Sequence, residues 1–315
     1  MSRVHIADVS YFLREGTLLD IEARRRATSI YLVQKVIPML PSILCEQLCS
    51  LNPNVDRLAF SCIYVMKPDG NLTEEPPFFG RTVIRSCAKL DYATAQRMIE
   101  GLIPSSPDLG PDPDSFLSRM SEDIWEKNRR PVGHAAWECS NDVCLMNSIA
   151  QMRRVVRMSN GALVIRRPKM SFRLDDDGNP SAAADYPIRE SNNLVEEYML
   201  LANFLVAQEM LSRNGKSAFL RQHSPPDGEK LDQVKASINK LGIVLDTSSS
   251  RGLHQSILQF SREGDNTINS AISQMLMSTL NPALYIVAGD EPPQKWAHYA
   301  LGIPYYTHFT SPIRR

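Results

Sequence analysis

The sequence predicts a mixed α/β (α+β) domain in which antiparallel hairpins pack against many helices. Two pairs of segments alternate between apolar and polar residues and are joined by turn sequences, as strands of hairpins are. They are Leu58–Met66 with Phe78–Cys87, and Leu163–Leu174 with Ala183–Ile188. A long apolar stripe with helical spacing follows Ser191. Together these observations favour one large α+β domain, and we find no internal repeat.

Before residue 102 the spacing predicts four further elements. They are a strand over Val4–Phe12, a helix over Asp20–Ile37, a short helix opened by Pro41 and a helix over Asp91–Glu100. Pro38 ends the first helix, because proline cannot continue a helix. The turn sequence at 68–71 closes the first hairpin.

After residue 102 the pattern becomes mainly helical. The predicted elements are a loop over 103–114, helices over 115–128 and 141–157, a helix capped by Ser191 that runs to about Leu211, a loop over 222–230, two or three more helices, and a short strand over Leu284–Val287.

The overall charge predicts no general attraction to nucleic acid. The chain has 35 basic and 35 acidic residues among 315, and 43% of its residues are hydrophobic. Nucleic-acid binding would therefore depend on local clusters. Arg24–Arg26 and Arg166–Lys169 are two such clusters, although a solvated helix or hairpin face is the more common explanation.

The six cysteines are predicted to be reduced, structural thiols. None belongs to a C-x-x-C pair, and no histidine pair has zinc spacing. This usage favours a cytoplasmic protein. A run of about 18 apolar residues is absent from the sequence, so we expect no membrane partner.

Two motifs suggest chemistry that their context argues against. Asp175–Asp177 could be taken for a metal-binding cluster, but Gly-Asn follows it between two alternating segments, which favours a hairpin turn. Ser248–Ser250 lacks the G-x-S-x-G turn of serine hydrolases.

The C-terminal segment HFTSPIRR at 308–315 contains a candidate anion site. Ser311 is a good helix cap, and Pro312 suits the first position of a helix. Arg314 would then add a fixed charge to free backbone N–H groups, which together can bind phosphate. From the spacing alone, an ordinary arginine salt bridge beside a normal cap is the commoner explanation.

Seven segments resemble, in order, the RNase II (RNB) catalytic domain, and the eukaryotic, exosome-type Dis-three-like branch is the most similar. They are HIADVS at 5–10, VIPMLP at 36–41, CSLNP at 49–53, AKLDY at 88–92, NNLVEE at 192–197, DTSS at 246–249 and HFTSPIRR at 308–315. Each motif is weak alone, but seven in register are difficult to obtain by chance. The resemblance implies a Mg²⁺-dependent 3′→5′ exoribonuclease that releases nucleoside 5′-monophosphates from single-stranded RNA and takes part in RNA decay. It implies no DNA partner, and exosome components are candidate partners.

The resemblance also assigns roles to single positions. Arg314 matches the family's catalytic arginine, which contacts the phosphate near the scissile bond. Tyr92 matches an aromatic residue that stacks on the terminal nucleotide, and Glu196 matches a glutamate that holds the terminal ribose, with Glu197 as the alternative register. His308 either contacts RNA or only packs.

No metal ligand is assigned within this sequence. The family's aspartate cluster of the D-I-D-D-A type lies shortly before the HIADVS motif, and no such cluster precedes His5. A structural role is favoured for Asp8, and an indirect, second-layer role at a metal site is the alternative.

We therefore expect residues 1–315 to be one RNB catalytic domain truncated at both ends, without the flanking OB-type domains of the family. We expect little or no nuclease activity from this chain alone. The alternative is a catalytically dead RNA-binding fragment or isoform that competes with the full enzyme.

Overall fold

A three-stranded antiparallel sheet forms in the N-terminal part of the computed structural model, which describes residues 1–103, 105, 131–165, 170–260 and 266–311. Its strands are β1 (Ser2–Ala7), β4 (Asp56–Tyr64) and β5 (Phe78–Arg85), with β4 in the centre. Ile6 pairs with Phe60, and Phe60 pairs with Arg81, which sets the register across the sheet.

Three two-stranded antiparallel sheets accompany it. They pair β2 (Ile30–Tyr31) with β3 (Val36–Ile37), β6 (Met170–Leu174) with β7 (Pro180–Asp185), and β8 (Phe219–Gln222) with β9 (Leu284–Val287). The mixed α+β class is therefore confirmed.

Helices alternate with these strands along the chain. They are α1 (Val9–Phe12), α2 (Leu18–Arg26), α3 (Tyr92–Ile99), α4 (Ala136–Ser159), α5 (Glu190–Asn214), α6 (Gly228–Asn239), α7 (Ser250–Phe260) and α8 (Asn266–Thr279), and a π-helical turn spans Ile43–Leu48. In the part of the chain that the structure describes, no helix combines the length and the apolar character needed to cross a membrane.

Helix α5 contributes to three apolar clusters. Its Leu194 packs with Met98 of α3 and Val143 of α4. Further along, Leu201 and Leu205 pack with Cys62 and Tyr64 of the central strand β4, and Ala207 packs on the β8–β9 hairpin through Leu220. Because a helix of 25 residues buried along its length has few ways to shift, α5 gives the side chains it carries fixed positions.

Several sequence predictions are confirmed. The first hairpin forms around the turn at 68–71, where the amide of Gly70, with φ of +82°, donates to the Lys67 carbonyl. The Asp175–Asp177 run lies in a hairpin turn, in which Gly178 N–H donates to the Asp175 carbonyl. The last strand, Leu284–Val287, has the predicted bounds.

The predicted helix over Asp20–Ile37 is wrong beyond Arg26. Ala27 adopts a left-handed conformation, with φ of +59°, and ends α2 there. Residues 30–37 then form the β2–β3 hairpin. This segment is rich in β-branched residues, which favour strands, and that local preference prevailed over the helical spacing.

Two element boundaries also need correction. The strand predicted over Val4–Phe12 ends at Ala7, because the next residue, Asp8, turns the chain and a short helix follows. The helix predicted to be capped by Ser191 begins at Glu190, two residues before the start that such a cap implies, and the Asn192 side chain accepts a hydrogen bond from the Arg189 amide.

The second hairpin is shifted from its predicted position, with strands at 170–174 and 180–185. The predicted helix over 115–128, most of the predicted loop over 103–114 and the Arg166–Lys169 cluster lie outside the described residues, as do Pro312 and Arg314. The helix predicted to start at Ser311 therefore stays a prediction.

Candidate nucleic-acid interface

Tyr92 lies at the point where the N-termini of α3 and α5 meet. The Asp91 side chain caps α3 by accepting from the Thr94 amide at 2.7 Å. From α5, the buried Ser191 hydroxyl donates to the Tyr92 carbonyl at 2.7 Å, and the Ser191 amide donates to Gln96 Oε1 at 3.0 Å. The backbone of Tyr92 is thus held by both helices, while 41% of the residue stays exposed.

The two adjacent glutamates of α5 have different environments. Glu197 is buried, with 3% of its side chain exposed, and Arg157 of α4 donates to it through Nε at 3.1 Å and through Nη2 at 2.6 Å. Glu196 is 38% exposed, and its Oε1 accepts a further bond from the same Nη2 at 3.1 Å. The structure therefore leaves Glu196 accessible to a ligand and commits Glu197 to an internal ion pair.

Two more arginines of α4 surround these carboxylates. Arg154 Nη1 lies 3.7 Å from an oxygen of each glutamate, without a hydrogen bond to either. Arg153 Nη1 donates to the Gly70 carbonyl at 3.2 Å. The pKa of Arg153 is lowered, chiefly by burial and in part against the opposing charge of Glu197. Three guanidinium groups and two carboxylates give this cluster a local excess of positive charge, which suits a polyanion.

A single asparagine of α5 anchors the segment that leads to the C-terminus. Asn203 is fully buried, and its amide nitrogen donates to the Tyr306 hydroxyl at 2.9 Å and to Thr310 Oγ1 at 3.2 Å. Its amide oxygen accepts from the Thr310 N–H at 3.0 Å. Asn203 lies seven residues after Glu196, about 20° short of two helical turns, so the two residues share a side of α5 roughly 10 Å apart.

His308 is held in a cluster with residues of the β8–β9 hairpin. Its Nδ1 lies 2.9 Å from Arg221 Nη1 and 2.8 Å from the Tyr285 hydroxyl. Since a guanidinium can only donate, Nδ1 accepts this bond. The Arg221 guanidinium carbon also lies 5.3 Å from the centre of the Tyr285 ring, a cation–π distance. These contacts give His308 a packing role, and a contact with RNA stays a prediction.

Asp8 is buried and bonded on both oxygens. The Ser10 hydroxyl donates to Oδ1 at 2.7 Å, and Arg81 Nε donates to Oδ2 at 2.8 Å from across the sheet. Both carboxylate oxygens of Asp8 therefore have partners within the protein, and its role stays a prediction. The part of the chain that the structure describes contains no group of three or more histidine, cysteine, aspartate or glutamate side chains that could hold a metal ion.

Glu196 thus lies on α5, and residues of α5 hydrogen-bond to Tyr92 and to the 306–311 segment. Arg314 lies three residues beyond Ser311, outside the described residues, so its position stays a prediction. Sequence reasoning missed Arg157 and Asn203. The Arg153-Arg154-Arg157 spacing on a predicted helix was a usable signal, because residues four apart share a helix face, whereas nothing local distinguishes Asn203.

The Arg24–Arg26 cluster lies instead on the solvated face of α2. Arg25 and Arg26 bind Glu22 in exposed ion pairs, both at 2.8 Å. These hydrogen bonds lower the pKa of Glu22 to about 2. The arginines are therefore already paired with neighbours on their own helix, as the common explanation of such clusters predicts.

Residues 3–315 match the RNB domain family. The chain is 43% identical over 320 residues to DIS3-like exonuclease 2 of Xenopus tropicalis, covering 99% of this chain and 36% of that protein. It is 36% identical over 319 residues to an Arabidopsis thaliana protein named Inactive exonuclease DIS3L2, covering 99% of this chain and 28% of that protein.

The fold is likewise similar to a solved structure, Mycoplasma genitalium RNase R in complex with double-stranded RNA. The TM-score is 0.77 at 25% identity, and the match covers 99% of this chain and 49% of that chain. The present chain spans about a third of the length of the two curated relatives.

Proposed function

Because the chain belongs to the RNB-domain family of exoribonucleases, we propose that it forms the core of an enzyme that degrades single-stranded RNA from the 3′ end to nucleoside 5′-monophosphates. The observation that carries this proposal is the arrangement around α5. One rigid helix positions an exposed aromatic ring, an accessible carboxylate and the segment that leads to Arg314.

Each of these groups suits one part of an RNA 3′ end. The exposed Tyr92 ring can stack on a base of any identity, which contributes about 1–3 kcal/mol per base. The Glu196 carboxylate can accept a hydrogen bond from a ribose 2′-hydroxyl, a group that DNA lacks. Arg314 would place a guanidinium against the phosphate whose charge grows during hydrolysis.

We also propose that hydrolysis depends on Mg²⁺. The described residues supply no matching set of ligands, and Asp8 is occupied by Ser10 and Arg81. We therefore assign no step through a metal ion to this chain, and we expect it alone to bind RNA with little or no hydrolysis.

A catalytically dead RNA-binding protein is the second candidate. A relative that is named as inactive is 36% identical in sequence to this chain. The same α5 arrangement would then serve only to hold RNA, and the protein would compete with active enzymes for 3′ ends.

Binding and product release, measured together, test both candidates. The purified chain is incubated with a uniformly labelled single-stranded RNA, with the same RNA carrying a 3′-terminal phosphate, and with DNA of the same sequence, in Mg²⁺. We expect tightest binding to the RNA with a free 3′ end and no appreciable release of mononucleotides. Steady release of 5′-monophosphates would contradict the second candidate, and equal binding of RNA and DNA would contradict both.

A further inference from the structure

The strongest side-chain cluster outside the residues assigned so far is the buried pair of Arg157 and Glu197. Only 7% of the arginine side chain and 3% of the glutamate side chain are exposed. The two residues are 40 positions apart and join α4 to α5 through three hydrogen bonds of 2.6 to 3.1 Å. A charge pair this deeply buried is weak evidence for stability alone, because desolvation offsets most of the attraction.

The same guanidinium reaches the accessible glutamate. Arg157 Nη2 donates to Glu197 Oε1 and also to Glu196 Oε1 at 3.1 Å. The other oxygen of Glu196, Oε2, accepts no hydrogen bond from Arg157 and lies 3.7 Å from Arg154 Nη1. One oxygen of Glu196 is therefore fixed by a planar donor, and the second keeps capacity to accept a bond from a ligand.

We propose that Arg157, itself held by Glu197, is a positioning residue that aims the Glu196 carboxylate at the 2′-hydroxyl of the 3′-terminal ribose. This inference rests on the proposed function, and it adds the device by which the site distinguishes RNA from DNA. Glu197 holds Nε and Nη2, so the guanidinium plane cannot turn. A glutamate on an exposed helix face would otherwise rotate among several rotamers and would lose entropy on binding.

Arg154 places a second positive charge beside the two glutamates. With Arg157 it surrounds the two glutamates with positive charge. An ionised carboxylate accepts hydrogen bonds but donates none, so it suits a hydroxyl donor. Because Arg154 makes no hydrogen bond through Nη1, it fixes the orientation of neither glutamate.

The test is a ratio of dissociation constants. Binding of the 315-residue chain is measured for a single-stranded RNA and for the same oligonucleotide whose last nucleotide is 2′-deoxy, with EDTA present to prevent metal-dependent cleavage. For the wild-type chain we expect the 2′-hydroxyl to tighten binding about tenfold, the effect of one hydrogen bond to a charged acceptor. A Glu196→Ala variant should bring the ratio close to one.

Three variants distinguish a change in the orientation of the Glu196 carboxylate from a loss of folding. Arg157→Lys keeps the charge but lacks the planar fork, so the ratio should fall several-fold. The double variant Arg157→Met with Glu197→Leu replaces the pair by apolar side chains, a change that buried pairs often tolerate, and its ratio should be near one although Glu196 is intact. Arg213→Lys alters an exposed ion pair with Glu209 on the same helix and should leave the ratio unchanged.

The outcomes are distinguishable. A wild-type ratio near one, or no binding of RNA, would overturn the assigned ribose contact and with it this inference. A tenfold wild-type ratio that persists in a folded double variant would overturn the role of Arg157 alone. Equal loss of affinity for both oligonucleotides would also overturn it, because that is the result of a purely structural role. A selective loss of the preference for the 2′-hydroxyl, with the deoxy oligonucleotide bound as before, supports it.

Discussion

Two arginine–glutamate clusters in this protein are alike in chemistry and differ in position. On α2, Arg25 binds Glu22 at 2.8 Å with 74% of the arginine side chain exposed. Between α4 and α5, Arg157 binds Glu197 at 2.6 Å with 7% exposed. The bond lengths are similar, but water and salt screen the first pair and hardly reach the second.

Arginines that are adjacent in the sequence therefore need not form a functional site, and residues that do form one can lie far apart in the sequence. The three consecutive arginines of α2 attract attention in the sequence, yet they pair within their own helix. The Arg157–Glu197 pair joins two helices and holds a third residue, Glu196, in place. A local charge cluster therefore indicates a solvated face more often than a site.

The largest expected effect comes from breaking the buried pair on one side. Glu197→Ala leaves Arg157 charged and without its main partner, so the free energy of unfolding should fall by about 3–5 kcal/mol. Urea denaturation followed by circular dichroism measures this change. A loss as small as that of Glu22→Ala on α2 would show that the two clusters do not differ as described.

Asn203 tests whether the C-terminal segment depends on α5. Asn203→Ala removes three hydrogen bonds of a fully buried side chain and leaves the Thr310 amide without its partner. We expect the free energy of unfolding to fall by about 1–3 kcal/mol. Asn239→Ala, at the exposed end of α6, is the matched control. Equal stability of the two variants would contradict the anchoring role.

Replacing Tyr92 tests whether an exposed residue contributes to RNA binding rather than to stability. Tyr92→Ala should weaken binding of single-stranded RNA by about 1–3 kcal/mol, because one stacking surface is lost, with little change in stability. Fluorescence anisotropy with labelled RNA measures this effect. Tyr31→Ala, which removes an even more exposed ring on β2, is the control and should leave binding unchanged. The opposite ranking would place the RNA site elsewhere.

The pKa of His254 tests whether the charges of Arg154 and Arg157 influence a neighbouring side chain. Burial first, and then the charges of Arg154 and Arg157, lower the pKa of this histidine below 6.5. The unfolded chain therefore binds a proton at a higher pH than the folded chain does, so acidification below about pH 6.5 should favour unfolding. In Arg157→Met, the pKa measured by NMR should move back toward 6.5. An unchanged or lower pKa would contradict the proposed reach of this charge.

The smallest effect belongs to the exposed cluster. Arg25→Ala should leave both the unfolding midpoint and RNA binding within error of the wild type, at low and at high salt, because its partner is also exposed. A clear loss of RNA affinity at low salt would instead make α2 part of the interface.

The sequence predicted the fold class, the two longest hairpin strands and the central helix α5, because alternation and helical spacing persist there over many residues. The family membership predicted from seven short motifs is also confirmed. Prediction failed at Ala27 and Asp8, where one residue's conformation or one buried side chain redirects the backbone. It also missed Arg157 and Asn203, because their partners lie 40 and more than 100 residues away and only the folded chain brings them together.

One measurement tests most directly whether α5 organises an RNA 3′ end. An RNA with a photoreactive 3′-terminal 4-thiouridine is crosslinked to the chain, and the modified peptides are identified by mass spectrometry. The account predicts crosslinks to the peptide that contains Tyr92 and to the peptide that ends in the 306–315 segment, both reduced by a 3′-terminal phosphate. Crosslinks confined to the α2 arginines, or distributed without regard to the 3′ end, would contradict it.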